Sequence, residues 1–382
     1  MGRKALIAMS GGVDSSVAAL LMQEAGYEPI GVTMKLYNNV DAGMCNAHTC
    51  CSLKDIEDAR AVAGRLGIAH YVMNFQDGFH EKVIDKFALT YLNGATPNPC
   101  IDCNKYMKFG TLTERAREFG CEKAVTGHYV RIEKNEKTGE YELHKALDDT
   151  KDQSYVLYFL NQEQLSYLEF PLGKLKKTQA REIAEKHGLI NARKHDSQDI
   201  CFVPDGNYAR VIDEYLKEHQ DKYEGILNKK SINGYFKDKY GKILGQHNGF
   251  YHYTIGQRRG LGISATEPLY VISINARENV VILGNNDDLM KCDVYAYGFT
   301  FVSKKETEMI SKWKNTEIQC AAKIRYRAKE SAGILKIIGK AEDGTFNVMM
   351  HFDTPVRAVT AGQSLVAYDN TRVIGGGIIK DS

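Results

Sequence analysis

What the chain lacks narrows its function first. Nowhere do about 18 apolar residues follow one another, so no stretch qualifies as a membrane-spanning helix. Charge of one sign does not dominate either. Fifty Lys and Arg face 48 Asp and Glu, a formal net charge of +2, so a nucleic-acid surface would have to be local. No internal repeat is visible. Gly2 lacks the downstream Ser or Thr that myristoylation requires, and "MGRKALIAMSGG" runs directly into a strand and a loop. These absences lead us to expect a cytoplasmic protein with no membrane partner. Nine cysteines make a poor disulfide framework for 382 residues. In a reducing compartment such thiols more often serve catalysis, metal binding or redox chemistry. Cys121, Cys292 and Cys320 have apolar or strand-like neighbours and are expected to be small buried hydrophobes.

The length calls for two or three domains. In the first half, short apolar strands alternate with helical patterns. "KALIAM" (4–9), "PIGVTMKLY" (29–37), "HYVMNF" (70–75) and "CEKAVTGHY" (121–129) are strands. Between them lie helices over 13–26, over 52–67 with Ser52 as N-cap and Ile56, Ala63 and Leu66 inward, from the third strand to about 91, and over 106–120. That alternation predicts a parallel sheet covered by helices on both faces. Next come a hairpin over 129–146 around "NEKTG" and helices near 153–168, 176–188 and 206–219. From about 225 onward Gly, Tyr, Thr and β-branched residues dominate, with hairpin signals at "NARENV" and "AEDGTF". The expected architecture is α/β: an N-terminal parallel-sheet nucleotide-binding domain (1–205), a small middle domain (206–285) and a C-terminal β-barrel domain (286–382).

The first strand–helix junction, "AMSGGVDSS" (8–16), carries an anion site in its order of residues. Ser10, Gly11 and Gly12 allow a tight turn whose N–H groups point at one anion. The helix starting at Val13 adds the positive end of its dipole, and the Asp14-Ser15-Ser16 segment adds hydroxyl donors. No Gly-Lys-Ser/Thr follows, so this is not a Walker A loop. The stretch resembles the pyrophosphate-binding loop of the ATP-pyrophosphatase (PP-loop) superfamily, which cleaves ATP between the α- and β-phosphates and adenylates a substrate oxygen. Some members form amides; others insert sulfur into tRNA.

Two cysteine motifs choose between those branches. "NPCIDCNKYMKFG" (98–110) and "HDSQDICFVPDGNY" (195–208) resemble the tRNA-specific 2-thiouridylase family. "TGHY" (126–129), "KDQSYVL" (151–157), "HYTIGQRRGLGI" (252–263), "KIRYR" (323–327) and "AGQS" (361–364) match it too, in the same order. The resemblance implies an adenine nucleotide alpha hydrolase-like first domain, with ATP and Mg2+ as cofactors. Ala8, Met9, Ser10, Gly11, Gly12, Val13, Asp14, Ser15, Met34 and Gly127 match the nucleotide contacts. It implies a wobble-uridine substrate in tRNA, with Lys, Glu and Gln acceptors. The tRNA contacts fall on Asn98, Pro99, Cys100, His128, Lys151, Asp152, Gln153, Arg325, Tyr326 and Gln363, and Arg258 and Arg259 add a plausible phosphate clamp. Cys103 matches the nucleophile and Cys201 the persulfide carrier, which a sulfur-donor protein or cysteine desulfurase would load. Carbon 2 of uracil is unreactive until AMP on its oxygen makes a leaving group, and a sulfur nucleophile must then reach it. The helix expected to begin near Asn104, together with Lys105, should lower the Cys103 thiol pKa; Pro97 and Pro99 should keep the approach extended.

In one place the chain departs from the family pattern, which has Asp where Cys100 stands. Thiolates at Cys100, Cys103 and Cys201 offer three ligands to a [4Fe-4S] cluster with one open iron, so cluster chemistry stands beside direct persulfide relay. Cys45, His48, Cys50 and Cys51 would suit zinc, but no second half-site follows, and a loop with incidental thiols is preferred. An amide-forming synthetase would need a glutaminase domain or ammonia channel, and none is evident. A non-catalytic RNA-binding protein would not need both an intact phosphate loop and two matched cysteines.

Overall fold

The computed structural model describes residues 2–37, 53–196, 199–203, 205–219, 234–312 and 316–380. The Cys45, His48, Cys50 and Cys51 segment and the Ser52 cap lie outside them.

The N-terminal strands are β1 (Arg3–Ala8), β2 (Tyr27–Lys35), β3 (Ala69–Asn74) and β4 (Lys123–Val125). A hairpin follows, β5 (Val130–Lys134) with β6 (Tyr141–Lys145), and then β7 (Leu168–Glu169). The first sheet has the order β3-β2-β1-β4-β7, and every pairing in it is parallel. Strand alternation sends Ala5 and Ile7 to one face and Leu6 and Ala8 to the other. The first face is covered by α1 (Val13–Glu24), α2 (Leu53–Leu66) and the Lys177–Lys186 helix. Helical runs over Gln76–Leu92 and Pro99–Glu118 cover the second. Because β2 and β4 flank β1, the chain reverses direction of travel at β1, and a crevice opens beyond the carboxyl ends of β1 and β4.

The helix expected from 106 begins seven residues earlier. Pro99 occupies its first turn, where a missing N–H costs nothing, so the proline starts the helix and the cysteine motif lies inside it. Residues Cys103–Thr111 are wound as a π-helix, and hydroxyls bond five residues back: Thr111 to the Tyr106 carbonyl (3.3 Å) and Thr113 to the Lys108 carbonyl (3.1 Å).

The middle sheet comprises β8 (Gly234–Asp238), β9 (Ile243–His247), β10 (Tyr270–Asn275) and β11 (Val280–Gly284), in the order β10-β11-β8-β9. The C-terminal strands are β12 (Met290–Phe301), β13 (Glu317–Lys323), β14 (Ser331–Lys340), β15 (Phe346–Arg357), β16 (Ser364–Asp369) and β17 (Arg372–Ile379). They run β12-β15-β14-β13-β16-β17, and β12 also pairs with β17, which closes a six-stranded antiparallel barrel. The β5–β6 hairpin joins this barrel sheet at Arg372↔His144, so the N-terminal half contributes two strands to the C-terminal sheet.

Candidate active site

The phosphate loop fills the crevice at the end of β1. Gly11 adopts φ +72°, and a Cβ there would meet the Asp55 carbonyl at 2.4 Å, so both backbone and space require glycine. Gly12 is extended and caps α1; its carbonyl accepts the Ser15 and Ser16 hydroxyls, each at 3.0 Å. The Ser15 hydroxyl also accepts the Ser10 N–H at 3.2 Å, curling the loop round the helix start. First-turn N–H groups have no acceptor within a helix, and here they point out of the loop with the dipole behind them. Gly127, after β4, lies against the same turn: a Cβ would come within 2.8 Å of Asp14 C and Ser15 N. Met34 is half-buried near the end of β2, paired in register with Met73.

Around this loop is an ionic network that sequence reading did not single out. Lys177, only 8% exposed, donates to both Asp14 carboxylate oxygens at 2.8 Å and pairs with Asp196 at 2.7 Å. The Tyr129 hydroxyl also donates to Asp14 (2.8 Å), and Lys151 and Arg181 reach Asp196 at 2.8 and 3.0 Å. Burial alone would raise the Asp196 carboxyl, but hydrogen bonds from Lys151 and Lys177 outweigh it and hold the group at about 2. Lys194 donates to the Gly11 carbonyl (3.2 Å) and to Asp55 and Asp58 (2.6 Å each), while Asn191 bonds Gly11 O and the Ser16 hydroxyl. Lys177 belongs to a lysine run that in sequence looks like a solvated helix end. Only the tertiary fold shows it nearly buried between two carboxylates.

The cysteine helix leads to the same edge. Cys100 is exposed and Cys103 half-buried in its first turns. Burial pushes the Cys103 thiol up to about 11; Cys100 keeps open surface of its own, but the protein crowded around it desolvates and raises that thiol as well. This corrects the expected lowering: desolvation outweighs the nearby positive charge. The cation that partly offsets it is Lys108, not Lys105. The same Lys108 acts on Cys100 and on His128. His128 is buried, held by Thr126 at 2.6 Å and by the rings of Phe109 and Phe170, and burial keeps its imidazole far below the usual range, hence neutral. Lys108 sits five residues after Cys103, and the wider π-helical turn brings positions so spaced onto nearly the same face.

Cys201 is half-buried on the 199–203 turn, where the Tyr37 hydroxyl donates to its carbonyl at 2.6 Å. Phe202 anchors the turn edge-on against Phe79 and Phe87. Cys103 and Cys201 pack against one apolar cluster. Among the described residues, however, no group of three His, Cys, Asp or Glu is placed to hold a metal ion. Cys100, Cys103 and Cys201 are therefore not gathered as a cluster ligand set. Two of them share a helical turn, while the third is fixed on a separate turn by Tyr37.

Several of the expected tRNA contacts already have partners within the protein. Gln363 donates to the Thr96 and Pro97 carbonyls at 3.0 Å each, and the Thr96 N–H donates to Ala361 O at 2.8 Å, so a barrel turn grips the segment before the helix. Asp152 is buried and accepts from Ala146 N, Ser154 N and the Ser154 hydroxyl; Gln153 accepts from Tyr129 N; Lys151 is paired with Asp196. Tyr326 is exposed, donates to the Asp152 carbonyl at 3.3 Å and lies within the electrostatic reach of Cys100. Arg325 donates to the Arg357 and Ala358 carbonyls. Arg258 and Arg259 are exposed on a loop whose Gly256 packs against Ala358.

Three family models match the chain: a tRNA methyl transferase HUP domain over residues 3–205, a tRNA methyl transferase PRC-barrel domain over 220–285, and an aminomethyltransferase beta-barrel domain over 294–379. The tRNA-specific 2-thiouridylase MnmA of Clostridioides difficile is 47% identical over 382 residues, covering 100% of this chain and 99% of that one. The tRNA-specific 2-thiouridylase MnmA 2 of Caldanaerobacter subterraneus subsp. tengcongensis is 48% identical over 378 residues, covering 99% and 98%. Solved structures align more loosely: NMN synthetase from Francisella tularensis gives a TM-score of 0.33 at 20% identity over 57% of this chain and 78% of that one, too low to argue from.

Proposed function

The chain belongs to the tRNA-specific 2-thiouridylase family, and on that premise we propose how its own residues thiolate a wobble uridine. The chain is a tRNA-uridine 2-sulfurtransferase that uses ATP. The Ser10–Ser15 loop binds the ATP phosphates, and Gly11 and Gly127 leave the space that backbone-to-phosphate contact needs. Lys177 and Lys194 are held ready by carboxylates at the loop, and phosphate oxygens would take over those lysine contacts. Asp14, the carboxylate carried by the loop, is the residue that would meet ATP-bound Mg2+, whose part is to neutralise phosphate charge.

The uracil carbon-2 oxygen attacks the α-phosphate and pyrophosphate leaves, so that this oxygen carries AMP and becomes a leaving group. The terminal sulfur of a Cys201 persulfide then bonds to carbon 2 as AMP departs. Cys103 attacks Sγ of Cys201, a Cys103–Cys201 disulfide forms, and 2-thiouridine is released. Asn98, Pro99, Cys100 and the neutral His128 line the place of the extruded base, with Tyr326 available to stack. The wobble uridines of Lys, Glu and Gln tRNAs are the proposed acceptors. A sulfur-donor protein or cysteine desulfurase reloads Cys201.

One observation carries this reading. Gly127 packs on the Asp14–Ser15 turn, and the ring of the adjacent His128 lies 5.7 Å from that of Phe109 on the cysteine helix. The anion loop and the nucleophile helix are thus joined through contiguous groups. Thionucleoside analysis of tRNA from cells lacking the protein tests it: 2-thiouridine should vanish and return with the wild-type gene. Normal 2-thiouridine in the deletion contradicts the assignment. Iron and sulfide analysis of anaerobically purified protein should find neither; stoichiometric amounts of both would replace relay by cluster chemistry.

A further inference from the structure

Cys100 lines the proposed base site, but its thiol takes no part in the sulfur chemistry just described. Proline 99 starts the helix, so Cys100 and Cys103 stand three residues apart within its opening turns, one exposed and the other half-buried. Helix geometry puts Cα atoms so spaced about 5 Å apart, inside the span that a disulfide bridges. Closing the bond draws the two Cβ atoms together by roughly 1 to 2 Å, in the first turn of the helix, where the Cys103 N–H bonds back to the Pro99 and Cys100 carbonyls. The Cys103 thiol lies within the field of Cys100, and Lys108 acts on both. Cys201 differs: its turn is tethered by Tyr37 and wedged among Phe79 and Phe87. A disulfide from Cys103 to that turn would be poorly reached by an external reductant, whereas Cys100 opens to solvent.

We propose that Cys100 is the resolving thiol of the sulfur-transfer cycle. Its thiolate attacks Sγ of Cys103 in the Cys103–Cys201 disulfide, a Cys100–Cys103 bond forms, and Cys201 leaves as a thiolate free for reloading. The exchange is redox-neutral: one S–S bond forms as one breaks, and the proton lost by Cys100 is matched by the proton Cys201 can take up. Two electrons from a small thiol or dithiol reductant then reopen Cys100–Cys103 at the solvent side. The inference rests on the persulfide-relay reading.

The first test is independent of that reading. Full-length protein without ATP or tRNA is equilibrated with oxidised and reduced glutathione, quenched in acid, alkylated and digested with trypsin. Residues 87–105 form one peptide holding both Cys100 and Cys103, whereas Cys201 falls in residues 195–210. The expected product is the 87–105 peptide lighter by two hydrogens; Cys100→Ser abolishes it. Glutathione adducts or a 103–201 cross-link alone would overturn the proposal. In the second test, persulfide-loaded enzyme receives ATP and a tRNA transcript without reductant. Wild type should end with 2-thiouridine and the 100–103 bond, and Cys100→Ser with the 103–201 cross-link. With a dithiol supplied, turnover of the variant should be about tenfold slower. Thiouridine accompanied by a 103–201 bond and an alkylatable Cys100 in wild type overturns this inference and leaves relay standing. Thiouridine with no disulfide at all overturns both.

Discussion

At the residue scale Cys103, the proposed nucleophile, is a protonated thiol at neutral pH. Cys103 is held at about 11 by burial, so its thiolate fraction rises tenfold per pH unit across the neutral range and levels off only near that value. The alkylation rate of Cys103 with iodoacetamide, followed by mass spectrometry from pH 7 to 11, should therefore climb throughout. Lys108→Met should move the curve to higher pH, and Lys108→Arg should retain it, because the offsetting charge is then lost or kept. Sequence showed the thiol and its neighbour Lys105. It could not show that packing desolvates the sulfur, nor that a π-helical turn presents Lys108 instead. Gly127 makes a second test at this scale. A methyl group there falls within 2.8 Å of Asp14 and Ser15 backbone atoms, so Gly127→Ala must push back the first turn of α1. ATP affinity measured by calorimetry should fall by more than tenfold, about 1.4 kcal/mol, with little change in overall fold.

At the element scale, the Pro99–Glu118 helix is held from outside its own domain. The Gln363 amide and the Ala361 carbonyl on a barrel turn bond the Thr96–Pro97 segment that feeds it. Gln363→Ala removes two hydrogen bonds, each worth about 1 kcal/mol, and hydrogen exchange at the Thr96 amide should accelerate accordingly. The motif around Gln363 was legible as a late turn, and the resemblance assigned it to RNA. Its second use, gripping the cysteine segment, depends on a contact 267 positions away in sequence that no local pattern encodes. The phosphate loop was the most legible element, because Gly11, Gly12 and the serines do their work within nine residues of each other. The cysteine helix starts earlier than its sequence suggests because Pro97 and Pro99 read as breakers, whereas Pro99 occupies the position where a helix favours proline.

At the scale of the whole molecule, alternation and hairpin signals revealed the parallel sheet and the barrel. They could not reveal that β5 and β6 extend the barrel sheet, since that pairing is set by long-range packing. This contribution of strands fastens the barrel to the N-terminal half, where Gln363 bonds the segment leading into the cysteine helix and Tyr326 bonds the Asp152 carbonyl. With a net charge of only +2, tRNA affinity must come from local basic groups. Arg258 and Arg259, exposed on the glycine-flanked loop, are expected to contact phosphate. Replacing both with alanine should weaken tRNA binding and flatten the slope of log affinity against log salt by about 1 to 2.

The central claim is a division of labour between the glycine loop, which adenylates, and two separated cysteines, which deliver sulfur. It is tested most directly by measuring AMP and 2-thiouridine together, using purified enzyme, ATP, Mg2+, a sulfur source and a tRNA transcript. Wild type should make the two in equal amounts; Cys103→Ala should release AMP once and stall without free 2-thiouridine, and Cys201→Ala should release pyrophosphate while AMP stays on the tRNA and no 2-thiouridine forms. Thiouridine at wild-type levels in either variant would contradict the account.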